Sequence, residues 1–130
     1  MQFFATAAIL AAAGIASAAE TVSIADFSAR KNDGALQATS FKIQPAAAEC
    51  SNTVAADIVY PRMTQCGNSL YHFQIQQGEG NAFSVTLTKE TGMNEVINGT
   101  IDVPVYCHAG GNGPNDFVCT GVEATSIVLY

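Results

Sequence analysis

Basic residues are scarce in this sequence, and tryptophan is absent. Five lysines and arginines stand against eleven aspartates and glutamates, which gives a formal net charge of −6 at pH 7 and an isoelectric point near 4.5. A nucleic-acid binder needs clustered positive charge to neutralise the phosphate backbone, and only Arg30 and Lys31 are adjacent basic residues. The composition therefore excludes nucleic acid as an expected partner and favours a basic partner, or simply good solubility in an acidic fluid.

Long apolar runs are also missing beyond the first residues. Residues 3–16 are uncharged and almost wholly apolar, and the small-residue pattern Ala16-Ser17-Ala18 follows at their end. The run is shorter than the about 20 residues that a membrane-spanning helix needs, and signal peptidase cleaves after Ala-x-Ala patterns. We expect residues 1–18 to be a secretory signal peptide, with a buried apolar helix as the alternative. Residues 19–130 then form one secreted domain without a membrane span.

No cysteine precedes Cys50, and Cys50, Cys66, Cys107 and Cys119 include no Cys-x-x-Cys pair. Four-ligand zinc sites usually contain such pairs, so we expect no metal site and no other cofactor. An even number of cysteines in a secreted chain instead indicates a disulfide framework. Three pairings are formally possible. The sequential one, Cys50 with Cys66 and Cys107 with Cys119, is favoured because each bond then closes a short segment.

Alternating apolar and polar residues from Thr21 onward predict β-strands. Residues 71–76 and 83–88 both alternate, and Gly78-Glu79-Gly80-Asn81 between them supplies the positive φ angles of a hairpin turn. A second hairpin is predicted around Asn32-Asp33-Gly34. Further strands are expected within 96–105 and 117–128. Several strands separated by turn residues predict an all-β fold, a compact antiparallel β-barrel or sandwich with two intramolecular disulfides.

Two local features qualify this pattern. The segment Pro45-Ala46-Ala47-Ala48-Glu49 predicts a short helix, because proline is tolerated in a first helical turn. Pro104 lies in a segment rich in β-branched residues, where proline predicts an edge strand or a bulge.

The most specific stretch runs from Val105 to Val122 and reads VYCHAGGNGPNDFVCTGV. It resembles the Alternaria major allergen family of secreted fungal proteins, in which the order Tyr-Cys, Ala-Gly-Gly-Asn-Gly-Pro and Asp-Phe-Val-Cys is a hallmark. Two weaker matches agree with it: residues 24–31, and the Cys50…Cys66 pair ahead of Gly67-Asn68-Ser69. Together these matches span nearly the whole expected mature chain.

This resemblance implies an antiparallel β-barrel with the disulfides Cys50–Cys66 and Cys107–Cys119. Members of the family are recognised as allergens, as elicitors of plant defence, or as effectors that bind thaumatin-like pathogenesis-related proteins of plants. Small phenolic ligands have been proposed for the family, and no enzymatic activity is attached to the fold. Some members carry an additional cysteine near the mature N-terminus that links two barrels. Nothing before Cys50 is cysteine here, so we expect a monomer or a weak non-covalent dimer.

Two stretches are candidate sites. The loop Gly110, Gly111, Asn112, Gly113, Pro114, Asn115 and Asp116 is a candidate partner-binding surface, because loops fixed on a rigid scaffold often carry recognition. It is not expected to cradle phosphate, since no lysine and no helix N-terminus accompany it. Asn98-Gly99-Thr100 is an N-glycosylation sequon, which makes Asn98 a candidate modification site.

Catalytic patterns are weak. His72 and His108 are the only histidines, and no recognisable spacing pairs either with a serine nucleophile and a carboxylate. The sequence therefore predicts a non-enzymatic secreted elicitor or effector that binds a host protein. The alternative is a carrier of small apolar or phenolic ligands, which an apolar cavity or a groove lined by Tyr and Phe would favour. A hydrolase would need a histidine within hydrogen-bonding reach of both a serine and a carboxylate.

Overall fold

The computed structural model describes residues 19–130. The expected signal peptide, residues 1–18, lies outside this range. Within it the chain forms nine strands and one short 3₁₀ turn at Ala55–Asp57. The strands are β1 (Glu20–Asn32), β2 (Ala35–Gln44), β3 (Ala48–Asn52), β4 (Thr64–Gln65), β5 (Tyr71–Gln77), β6 (Ala82–Gly92), β7 (Glu95–Ala109), β8 (Asp116–Gly121) and β9 (Thr125–Leu129).

All strand pairs are antiparallel, and the strands follow the order β3-β2-β1-β8-β7-β6-β5-β4. β9 pairs with the first half of β1, and Tyr130 exchanges backbone hydrogen bonds with Asn98 of β7. A Cβ at Gly99 would lie 2.2 Å from the Val128 carbonyl oxygen, so only glycine allows β9 to approach β7 this closely. The end strands β3 and β4 meet at a seam, where Cys50 bonds to Cys66. The fold is a nearly closed antiparallel barrel, which confirms the predicted class.

The core follows the alternation seen in the sequence. Phe73, Val85 and Leu87 of the β5–β6 hairpin are buried, whereas Thr86 between them faces outward. Aromatic rings fill the barrel centre, with neighbouring ring centroids of Phe27, Phe41, Phe73 and Phe83 lying 5.1 to 6.0 Å apart. Such contacts stabilise a core beyond the area that they bury. Both predicted hairpins are confirmed, as β1–β2 and β5–β6.

The predicted helix at 45–49 is wrong. Pro45 to Ala47 form a turn, in which Ala47 has a φ of 59°, and the chain then enters β3. In β3, Ala48 and Cys50 pair with Ile43 and Phe41 of β2 and point into the core. Burial of Cys50 opposite β2 thus overrides the weak helix preference of three alanines, since tertiary contacts commonly outweigh local propensity.

The expected edge position or bulge at Pro104 is also wrong. β7 lies between β6 and β8, and Pro104 pairs with Ala82 at the last register position shared with β6. The Pro104 carbonyl accepts a hydrogen bond from the Val122 amide at 3.1 Å, so the Pro104 nitrogen also faces the β8 side of the strand. On that side the β7–β8 ladder begins only at the next residue, Val105. The missing N–H therefore removes no ladder hydrogen bond.

Candidate binding site

Four connecting segments meet at one end of the barrel, which we call the loop end: the β1–β2 turn, segment 55–60, the β5–β6 turn and the β7–β8 loop. The Asp33 amide donates to the Asn115 carbonyl at 3.1 Å, and the Asn115 amide group donates to the Asp33 carboxylate at 2.7 Å. The Lys31 ammonium lies 3.4 Å from the Gln77 side-chain oxygen. The two Asp33–Asn115 contacts join the candidate loop 110–116 to the β1–β2 turn, and the Lys31–Gln77 contact joins the end of β1 to the end of β5.

Arg30 and Asp116 anchor the loop. The Arg30 Nε donates to Asp116 Oδ1 at 3.0 Å, and Nη2 donates to Oδ2 at 2.6 Å, a two-pronged pairing that fixes both side chains. The Asp116 side chain is only 1% exposed, whereas that of Arg30 is 39% exposed. Asp116 is the only charged residue that is buried within residues 19–130. A buried carboxylate that is paired in this way specifies one loop conformation.

The same carboxylate organises the loop backbone. Asp116 Oδ2 accepts the Asn112 amide at 3.0 Å, and the Gly110 amide donates to the Asp116 carbonyl at 2.8 Å. A Cβ at Gly110 would lie 2.4 Å from Asp116 Oδ2, so glycine is needed for this approach. Hydrogen bonds from Arg30 hold the pKa of Asp116 below its ordinary value against the opposing effect of burial. The Arg30 pKa is raised by the same contact.

The second disulfide lies directly behind the loop. Cys107 of β7 and Cys119 of β8 are register partners, with Cα atoms 4.0 Å apart. Both predicted pairings are thus confirmed, and all four cysteines of the chain are bonded. Arg30, however, was not predicted as part of the site. The sequence around Arg30 gives little indication of a site beyond the scarcity of basic residues in the chain. Its partner Asp116 is 86 residues away.

An apolar groove of about 460 Å³ opens at the loop end beside β5 and β6. One wall is segment 55–60, in which Ile58 is buried while Val59 and Tyr60 are 59% and 46% exposed. The opposite wall comes from β2, β5 and β6 and contains Leu36, Ile75 and Phe83. The volume of the groove lies within the range of about 300 to 1,000 Å³ that is typical of small-molecule sites. An apolar groove lined by Tyr and Phe is the feature that would favour the alternative function, a carrier of small ligands.

Lys31 connects the groove to the loop. Its side chain lines the groove, and it also lines a shallow cleft with Asp33, Gly34, Asn115 and Phe117. Its ammonium lies 5.9 Å from the centroid of the Phe83 ring, a distance at which a cation is attracted to the aromatic face. Loop, cleft and groove are therefore one continuous surface with a polar half and an apolar half.

Asn98 lies elsewhere, near the start of β7 on the outer face of the barrel, where it is exposed. Thr100, the third residue of the sequon, is exposed as well, and its hydroxyl lies 2.8 Å from that of Thr86. A glycan at Asn98 would extend from the start of the strand that ends at the candidate loop. A glycan at this position would therefore leave the loop end open.

The histidines do not assemble a catalytic group. His72 Nδ1 lies 3.7 Å from Glu90 Oε2, which is too long for a hydrogen bond. The Ser69 hydroxyl donates to the Cys66 carbonyl at 2.6 Å and accepts from the Tyr71 amide. Among residues 19–130, no hydrogen bond joins a histidine to a serine. Within the part of the chain that the structure describes, no histidine lies within hydrogen-bonding reach of both a serine and a carboxylate.

A second charged cluster braces the barrel away from the loop end. The Glu20 carboxylate accepts hydrogen bonds from the Tyr71 hydroxyl and from Lys89, the latter at 2.6 Å. Burial alone would raise the Glu20 pKa, but the hydrogen bonds from Lys89 and Tyr71 outweigh it and lower the pKa. Burial and the bond to Glu20 raise the pKa of Tyr71. The cluster ties the start of β1 to β5 and β6.

In the part of the chain that the structure covers, no helix is long and apolar enough to cross a bilayer.

Comparisons with known proteins agree with this architecture. The family model described as Alternaria alternata allergen 1 matches residues 24–119. The chain is 33% identical to effector protein PevD1 of Verticillium dahliae over 112 residues, which cover 85% of this chain and 71% of that protein. It is 30% identical to the major allergen Alt a 1 of Alternaria alternata, over 99% of this chain and 96% of the allergen. A crystal structure of that allergen superposes with a TM-score of 0.69 and 29% identity, covering 85% of this chain and 92% of that chain.

Proposed function

Because the chain belongs to the Alternaria alternata allergen 1 family, we propose that it is a secreted fungal effector that binds a host defence protein through the loop end. The observation that carries this proposal is the anchored loop. Its exposed residues 111–115 stand on a buried ion pair and a cross-strand disulfide, so the surface is held in one conformation before it meets a partner. A preorganised surface loses less conformational entropy on binding.

Two further features support a protein partner. A relative that is 33% identical carries the name effector protein, and the major allergen has the same fold. The net charge of −6 fits a basic partner, whose association would then weaken as salt rises. The family resemblance makes a thaumatin-like pathogenesis-related protein of a plant the first partner to test.

Secretion belongs to the same proposal. All four cysteines are bonded, which is typical of proteins that fold in an oxidising compartment. Expressed as the full chain in a filamentous fungus, the protein is expected in the medium with Ala19 as its first residue. Mass spectrometry after enzymatic deglycosylation is expected to find Asn98 converted to aspartate. Retention of residues 1–18 in the secreted product would contradict the proposed cleavage site.

The binding test uses the oxidised domain on a support and plant apoplastic fluid. Replacement of the whole loop would remove Asp116 and unfold the surface, so the test variant is Asn112→Arg, at an exposed position. The matched control is Met93→Arg, at a position that is 90% exposed in the β6–β7 turn. We expect a thaumatin-like protein to be retained by the native domain and by the control, but not by the loop variant. Equal retention by all three would remove the loop from the proposed site.

The groove supports a second candidate function, a carrier of small apolar or phenolic ligands. Val59 and Tyr60 stay exposed on a wall that faces other apolar side chains, and a ligand between the walls would remove this surface from water. The neutral fluorophore N-phenyl-1-naphthylamine is the probe. We expect its emission to rise on binding to the native domain and to Met93→Trp, but not to Ala56→Trp, which fills the groove. Equal emission from all three would place the bound probe outside the groove.

A further inference from the structure

Lys31 occupies an unusual electrostatic position at the mouth of the groove. Among the described residues that line the groove, Lys31 alone is charged, in a chain with eleven acids and five basic residues. Arg30, Arg62 and Lys89 each pair with a carboxylate within 4 Å, but within residues 19–130 Lys31 and the exposed Lys42 make no such pair, and of these two only Lys31 lines the groove. Its one hydrogen bond, to the neutral Gln77 side chain at 3.4 Å, is long.

The body of the groove offers the opposite chemistry. Its lining includes the apolar or aromatic residues Leu36, Ile58, Val59, Tyr60, Ile75 and Phe83, and none of the lining residues within 19–130 carries a carboxylate. A ligand with only an apolar body would leave the ammonium of Lys31 without an anion. A ligand with only a charge would leave the exposed side chains of Val59 and Tyr60 in contact with water. The pairing of one cation with an apolar slot selects a molecule that has both parts.

We propose that the groove binds an amphiphilic organic acid, with its apolar body between segment 55–60 and the β5–β6 hairpin and its carboxylate paired with Lys31. This inference rests on the carrier function proposed above. Charge complementarity identifies the occupant: an anionic head replaces the weak Gln77 contact with a charge-assisted hydrogen bond. The Phe83 ring, 5.9 Å from the ammonium, keeps Lys31 over the groove when the site is free.

The test compares two probes of equal chain length, dodecanoate and dodecanol, below their aggregation limits at pH 7. Each displaces N-phenyl-1-naphthylamine from the native domain, from Lys31→Gln and from Lys42→Gln. Lys42 is the matched control, because it is an exposed lysine on β2 that does not line the groove. A charge-assisted hydrogen bond is expected to make dodecanoate bind about tenfold more tightly than dodecanol.

The inference requires that the ratio of dodecanoate to dodecanol affinity fall to about one in Lys31→Gln, and that Lys42→Gln retain the native ratio. Equal affinity for acid and alcohol in the native domain would overturn the role of Lys31 and leave the carrier function standing. Failure of the naphthylamine and of both probes to bind would overturn the carrier function itself. A preference that survives Lys31→Gln would move the anion contact away from Lys31. Amide shifts in two-dimensional NMR provide a second readout and are expected at residues 31, 36, 58 and 83.

Discussion

The two disulfides close segments of similar length in very different surroundings. Cys107 and Cys119 are register partners in neighbouring strands, and backbone pairs flank them on both sides. Cys50 and Cys66 instead join the two ends of the strand order, where β3 and β4 are not paired with each other. Beside the disulfide, the side-chain Nδ2 of Asn52 donates to the Thr64 hydroxyl across the same seam at 3.0 Å. One disulfide therefore reinforces an existing ladder, and the other closes the barrel.

The contents of the two segments differ as well. Between Cys50 and Cys66 the chain exposes apolar side chains, of which Val59 and Tyr60 belong to one wall of the groove. Between Cys107 and Cys119 it is rich in glycine and polar residues, and the Arg30–Asp116 pair fixes it. The apolar half of the loop end thus depends on a covalent bond at the seam, and the polar half depends on a charge pair. Each dependence predicts a separate way to disable one half of the surface.

Among the variants that disable one half of the loop end, removal of the seam disulfide is expected to have the largest effect on stability. The double variant Cys50→Ala, Cys66→Ala loses about 3 kcal/mol of unfolding free energy through the greater entropy of the unfolded chain. It loses more because β3 is then free to separate from the seam. Urea denaturation measures the loss, and hydrogen exchange is expected to accelerate first in Ala48–Asn52. Protection of β3 equal to that of the native domain would show that the seam holds without its disulfide.

Removal of the ladder disulfide is expected to have a smaller effect. The sequence separations are 16 and 12 residues, a difference worth only about 0.3 kcal/mol in the chain-entropy model. Because the β7–β8 hydrogen bonds remain, Cys107→Ala with Cys119→Ala is expected to lose no more than about 3 kcal/mol. The two double variants are compared in the same urea series. A loss equal to or larger than that of the seam variant would contradict the distinction between them.

The Arg30–Asp116 pair predicts a pH dependence. Hydrogen bonds from Arg30 keep the Asp116 pKa below its ordinary value, so the unfolded chain takes up the proton at a higher pH than the folded chain does. The pair therefore stabilises the fold fully above about pH 3.9, the ordinary aspartate value, and this stabilisation is lost as pH falls through the lower folded-state pKa. Asp116→Asn is expected to lower the melting temperature at pH 7, by less than either disulfide variant. The difference in melting temperature between Asp116→Asn and the native domain is expected to narrow below about pH 3.9.

The matched control for this prediction is Asp57→Asn. Asp57 lies 3.5 Å from Arg62, and the two side chains are 49% and 62% exposed, so this pair contributes little to stability. Calorimetry of both variants across the same pH series separates the loop contribution from the general acid sensitivity of the fold. A gap for Asp116→Asn that stays constant with pH would mean that the carboxylate charge does not hold the loop.

The sequence predicted those parts of the fold that have strong local patterns. The β5–β6 hairpin combined two alternating strands with a glycine-rich turn, and it formed as predicted. β3 and β4 have five and two residues, too few to show a period. Their conformation depends on the burial of Cys50 and on the seam, which are contacts between distant residues. Short elements that depend on tertiary contacts are the ones that alternation does not reveal.

The candidate site divides in the same way. The Cys107–Cys119 pair and the loop 110–116 could be read from one contiguous motif, and the Cys50–Cys66 pair from short sequence spacing, but the anchor Arg30 lies 86 residues from Asp116. The sequence did not predict the groove itself, only that such a groove would favour a carrier function. Its walls come from segments that are far apart in the chain. Periodicity indicates which side chains face inward, and it does not indicate which exposed side chains meet at one end of a barrel.

The smallest effect is expected at the groove wall. Val59 is 59% exposed, so Val59→Ser is expected to change the free energy of unfolding by less than about 0.5 kcal/mol, as for most surface substitutions. The same change is expected to weaken N-phenyl-1-naphthylamine binding, because it removes apolar surface from the slot. Urea denaturation and fluorescence titration of one preparation measure both quantities. Together they separate a residue that serves binding from one that serves folding.

The neighbouring residue provides the contrast. Ile58 is 3% exposed and belongs to the core, so Ile58→Ala is expected to lose about 2 to 5 kcal/mol of stability. If Val59→Ser destabilised the domain to a comparable extent, segment 55–60 would be part of the fold rather than a binding wall. If both variants retained full probe binding, the apolar half of the loop end would not include this segment. The contrast between adjacent residues therefore tests whether segment 55–60 presents a binding wall or serves only the fold.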